Sequence, residues 1–144
     1  MLEIANPALE LAILTHRPEE MLHFYRDVLG FRYQMRLDFP SATGNQDLGV
    51  PAGYQHRLEA GGMLIKLVHC PGADIAQAPT ERAYARTGMR FLTVVVNNLP
   101  DAIAACSTRG GRVVHPLSCY DGDVYYAFVA DPDGNEIELA GPIA

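Results

Sequence analysis

The chain has 144 residues, 49% of them apolar and 19% charged, with a formal net charge of −6. That is the composition of an ordinary globule, one compact domain or two small modules sharing a core. The acidic balance, with no Lys/Arg-rich run, argues against nucleic acid as a partner, and no apolar stretch approaches the roughly 20 residues of a membrane span.

The N-terminus lacks a basic stretch followed by a long apolar core, so a cytoplasmic protein is expected. Cys70, Cys106 and Cys119 lie far apart, without Cys-x-x-Cys spacing. An odd count of that kind reads as reduced, packed thiols.

In chain order, Leu9 to Thr15 is an apolar run suited to a strand. Pro18 favours a helix start, because its missing N–H costs nothing in the first turn. Met21, Phe24, Tyr25 and Val28 recur at helical spacing, and Gly30 is placed to end that helix in a left-handed conformation. His23 falls on the side away from this stripe. Phe31 to Phe39 alternates as a strand. Tyr54 to Ala60 and Met63 to Cys70 flank Gly61-Gly62 as a hairpin.

The order then repeats. Arg90 to Asn97 is a Val- and Thr-rich strand, and Asn98 can cap a helix whose apolar face is Leu99, Ala102, Ile103 and Cys106. Gly110-Gly111 stops it, Gly111 to Pro116 is a short strand, and a hairpin through Asp131-Pro132-Asp133-Gly134 supplies the last two. Each half is β-α-β-β-β, and a repeat of this length outweighs any single strand assignment. Module one spans about 9–70 and module two about 89–140. A linker of about 71–88 contains the helix-like stretch Thr80 to Arg86.

Two motifs stand about a hundred residues apart: Phe24-Tyr25-Arg26-Asp27-Val28-Leu29-Gly30-Phe31, and Tyr126-Ala127-Phe128-Val129-Ala130-Asp131-Pro132-Asp133-Gly134-Asn135-Glu136-Ile137-Glu138. Together they resemble the vicinal oxygen chelate family of glyoxalases, extradiol dioxygenases, fosfomycin-modifying enzymes and bleomycin-binding proteins. The resemblance implies an α+β fold, with two tandem βαβββ modules whose curved mixed sheets enclose a shared cavity. It also implies a homodimer and a small-molecule substrate or drug.

In metal-dependent members of that family, four side chains hold a divalent ion. Counting from the motifs places those positions at Glu10, Lys66, Phe91 and Glu138. Two are carboxylates, but a phenyl ring cannot ligate and an ammonium has no acceptor. The expectation is therefore no metal and no cofactor, with the Lys66 ammonium standing where the ion would and holding Glu10 and Glu138 in a buried network. Either that network only braces the cavity floor, or its members meet substrate. In the second case Lys66 is the electrostatic stabiliser and a carboxylate the base, since neighbouring carboxylates raise a lysine pKa.

A tight Gly61-Gly62 hairpin would set Glu59 opposite Met63 and His56 opposite Lys66, making His56 a candidate acid or base; a one-residue slip would turn it away. Phe91, Tyr126, Phe128, Tyr54 and Tyr120 are candidate ligand contacts. His69 and His115 are candidates for a rim. No Gly-x-Ser-x-Gly elbow and no phosphate loop occur.

Three functions compete: a metal-independent acid/base enzyme of isomerase, lyase or cyclase type; a protein that sequesters an antibiotic unchanged; and a metal-dependent glyoxalase or dioxygenase with displaced ligands, His56 among them.

Overall fold

Two modules of the same element order follow one another in a computed structural model that describes residues 9–40, 52–77 and 82–143. Module one runs β1 (Leu9–Leu14), α1 (Pro18–His23), a π-helical turn (Phe24–Val28), β2 (Arg32–Phe39), β3 (Gly53–Ala60) and β4 (Met63–His69). Module two runs β5 (Phe91–Val95), α2 (Leu99–Thr108), β6 (Arg112–Asp121), β7 (Val124–Ala130) and β8 (Glu136–Gly141). The sheets have strand orders β1-β4-β3-β2 and β5-β8-β7-β6. In each, the first and last strands of the module pair in parallel and the remaining pairs are antiparallel. The chain divides into two compact units after Ile75, within the expected linker.

Local chemistry explains the helix ends. Pro18 opens α1, and Asn98 caps α2 by accepting the Asp101 N–H through its side chain while donating to the Asp101 carboxylate. Gly110 takes φ +94° and the Gly111 N–H returns 2.8 Å to the Cys106 carbonyl, closing the last turn. The first helix departs from the expected α form. Its second half widens, with the Leu29 N–H bonded five residues back to the Phe24 carbonyl, before Gly30 at φ +77° ends it. Met21, Phe24 and Tyr25 are buried throughout this element.

The cores lie on one face of each sheet. In module one Leu58, Ile65 and Leu67 are fully buried, each stabilising the fold by roughly 1.5–3 kcal/mol. In module two Ala127, Val129, Ile137 and Leu139 do the same, and α2 packs on β6, β7 and β8. Alternation sends the intervening residues to the other face.

Two expectations need correction. β6 continues to Asp121 because register shifts around His115 carry the strand past Pro116, a residue that bears no ladder N–H. The helix-like linker forms only a 3₁₀ turn at Ala83–Ala85, with Thr80 and Glu81 outside the described residues. No helix among the described residues is long and apolar enough to cross a membrane.

Candidate functional site

Parallel pairing of β1 with β4 puts Glu10 opposite Leu64 and Ala12 opposite Lys66, so the Glu10 and Lys66 side chains share a face one step apart. The Lys66 ammonium bonds Glu10 Oε2, and Arg57, which lies opposite Lys66 on β3, approaches Glu10 Oε1 at 3.6 Å. The hydrogen bond from Lys66 holds the Glu10 carboxyl below its ordinary range, with both cations adding to the effect. The group is half-exposed rather than buried as expected. Arg32 and Gln34 grip Glu59 on the same face.

His56 does not join this group. The hairpin pairs Ala60 with Met63 and Glu59 with Leu64, which sets His56 opposite Leu67 and Arg57 opposite Lys66. Gly61 at φ +54° and Gly62 alone make the turn, one residue tighter than the expected register. The slip carries His56 to the helix side, where it is 5% exposed. There Nδ1 lies 3.3 Å from the Tyr33 hydroxyl, and Nε2 stands 3.4 Å from Glu19 on α1 without a hydrogen bond. Tyr54 goes with it, under the Arg36 guanidinium at 3.7 Å and edge-on to His56 and His69. His69 donates through Nδ1 to the Thr15 carbonyl, also in this cluster.

Module two carries a different arrangement. Glu138 lies on β8 between Thr93 of β5 and Phe128 of β7. The Thr93 hydroxyl donates to its Oε2 at 2.6 Å. The Phe91 ring meets Phe128 edge-on at 5.3 Å between centroids, and Tyr126 lies 6.1 Å from Phe128. His115 stacks on Tyr126 at 5.5 Å with the rings 4° from parallel, and shares a 3.0 Å hydrogen bond with Ser118. Tyr84 from the 3₁₀ turn completes the array against Phe91 and Phe128. Tyr120 is 79% exposed near the β6–β7 turn and takes no part in these ring contacts.

One step back on β8, Glu136 is buried. The Arg82 Nε donates to its Oε1 at 2.6 Å, and Oε2 has no hydrogen-bond partner among the described residues. Thr93, Tyr84, Arg57 and the Arg82–Glu136 pair escaped the sequence reading. Thr93 alone had a signal: it follows Phe91 by two residues and so shares its face.

The turn that aims β8 is fixed by Asp131, whose Oδ1 accepts the N–H groups of Asp133 and Asn135 at 3.0 and 2.9 Å. Its Oδ2 accepts from the Asn135 amide, and Gly134 at φ +89° closes the turn.

A model of the glyoxalase/bleomycin resistance protein/dioxygenase superfamily matches residues 8–139. The chain belongs to that superfamily. A probable lactoylglutathione lyase of Synechocystis is 30% identical over 122 residues, covering 84% of each chain. A lactoylglutathione lyase of Neisseria meningitidis is also 30% identical, over 84% of this chain and 80% of its own. Among solved structures, a glyoxalase family protein from Bacillus cereus superposes with a TM-score of 0.80 at 13% identity, covering 99% of this chain and 97% of its own.

The residues at the four positions do not fit a divalent ion. Lys66 places an ammonium on Glu10, Phe91 offers a ring, and no three His, Cys, Asp or Glu side chains converge as ligands among the described residues.

Proposed function

We propose that this superfamily member binds a small organic molecule and catalyses metal-independent proton transfer on it, as a lyase or isomerase, with Glu138 as the base. The observation that carries the reading is the pairing of Glu138 with the Thr93 hydroxyl beside an aromatic wall. A carboxylate oriented by one neutral donor keeps an oxygen free to take a proton, and an apolar neighbour strengthens its electrostatics. In module one, Lys66 and Arg57 stabilise the charged form of Glu10, which makes that carboxylate a poor base. Phe91, Tyr126 and Phe128 supply apolar contact.

The relatives' name gives a first compound to try, lactoylglutathione, which carries on the carbon next to its thioester carbonyl a proton for a carboxylate base to remove. Glu138→Gln keeps shape and hydrogen bonding but cannot accept a proton. Turnover should fall roughly 10²- to 10⁴-fold while affinity changes little. Mass spectrometry of what co-purifies supplies further substrates for the same comparison. Turnover that survives Glu138→Gln removes it from the mechanism.

The ring array favours a second reading, sequestration of an aromatic or cationic drug. In that case the ligand is recovered unchanged, and substitutions act on its dissociation constant alone.

A further inference from the structure

We propose that module two recognises an organic ammonium, seated on Tyr84 and Phe91 with Phe128 behind them, beside Glu138; this names a ligand class for the site assigned above and rests on that reading. The three rings form a closed triangle with centroids 5.3, 5.6 and 6.2 Å apart. Their planes are mutually inclined by 83°, 49° and 75°. Rings so inclined cannot stack together; Phe128 meets its neighbours edge to face and is closed off, and the exposed surface of Phe91 and Tyr84 is left for a guest. A cation within about 6 Å of a ring centroid is drawn to the negative face of its quadrupole.

The three rings are graded in exposure. Phe128 is 3% exposed at the base, Phe91 is 37% exposed, and Tyr84 is 77% exposed. A tyrosine touching two other rings while mostly solvent-facing is a side wall, and a guest would cover it.

The charge around the rings points the same way. Glu136 pairs with Phe91 across the ladder and Glu138 with Phe128, so each inner ring has a carboxylate as its cross-strand neighbour. In the antiparallel Phe128–Glu138 pair the Cβ atoms are about 4.5–5.5 Å apart. Glu138 pairs with no Lys, Arg or His among the described residues, and Thr93 is its donor. Glu136 is bonded through one oxygen only, and Arg82 balances its charge.

The nearby cations are committed elsewhere. Arg82 binds Glu136 and the Val114 carbonyl, and Arg90 donates to the Ala83 carbonyl. These bonds also tie the segment bearing Tyr84 to the sheet. What remains is an aromatic corner beside one carboxylate, Glu138, that has no cationic partner among the described residues, which suits a quaternary or alkylated ammonium.

The test compares choline with 3,3-dimethylbutan-1-ol, a neutral isostere of the same shape, titrated onto the full chain and followed by the ring proton resonances. Choline should bind at least about fivefold more tightly. Tyr84→Leu, which keeps apolar area and loses the quadrupole, should lower choline affinity about two- to fivefold and leave the isostere unchanged. Raising salt should weaken choline alone. Equal affinity for the two, or binding by neither, overturns the proposal. If that occurs while Glu138→Gln still abolishes turnover, the acid/base reading survives without the cation. If catalysis survives Glu138→Gln while choline retains its preference, the base assignment falls and the ring site stands.

Discussion

The Thr93 hydroxyl donates to Glu138 Oε2 at 2.6 Å across a parallel strand pair, so the orientation of one carboxylate depends on the neighbouring strand. Thr93→Val keeps the branched shape and removes the donor. Turnover should fall roughly tenfold, near the 1.5 kcal/mol of a hydrogen bond to a charged group, with affinity little changed. Thr93→Ser should restore most of it. Steady-state kinetics on the three proteins checks this.

Lys66 and Glu10 give an acid-side signature. The Glu10 carboxyl is held below its ordinary value of 4.5, so its contribution to stability is fully present above that pH. It fades as pH falls through the lower folded-state value. Lys66→Met should therefore be less stable than wild type near neutrality, with the gap narrowing below about pH 4. Urea melts from pH 3 to 8 measure the gap. A gap that does not change with pH would show that the pair adds nothing through charge.

Asp131 accepts three hydrogen bonds from two residues of the turn while 4% exposed. Asp131→Ala leaves those donors to find new partners. It should cost about 2–4 kcal/mol, which for a chain of this length lowers the Tm by roughly 4–16 °C. Thermal denaturation followed by circular dichroism reads the change.

Cys119 is exposed, whereas Cys70 and Cys106 are buried and their thiols are pushed up by desolvation. A thiol reagent should modify one cysteine per native chain quickly and the other two only on unfolding. Three fast thiols would contradict the burial of Cys70 and Cys106.

The repeat was legible because each half states its own pattern: Pro18 and Asn98 open helices, Gly30 and Gly110 close them, and alternating strands follow. The hairpin through Asp131 that carries Phe128 and Glu138 was legible in the same way. His56 was not placed correctly, because register depends on how many residues the Gly61-Gly62 turn consumes. One residue of difference moved His56 and Tyr54 to the helix side and brought Arg57 beside Lys66. Tyr84 was invisible for another reason. It belongs to an irregular segment whose position is set by Arg82 and Arg90 bonds that no periodicity encodes.

The parallel pairing of first and last strands also orders events in time. β1 finds its ladder partner only in β4, about fifty residues later, and β5 likewise waits for β8. During synthesis the segment Leu11 to Leu14 therefore emerges with its apolar side chains and its ladder edge unmatched, and it stays so until Met63 to Val68 has cleared the ribosome. Each module is then completed by its last strand. In module two that strand bears the carboxylate Glu138, so in the nascent chain the candidate base and the final closure of its sheet arrive together.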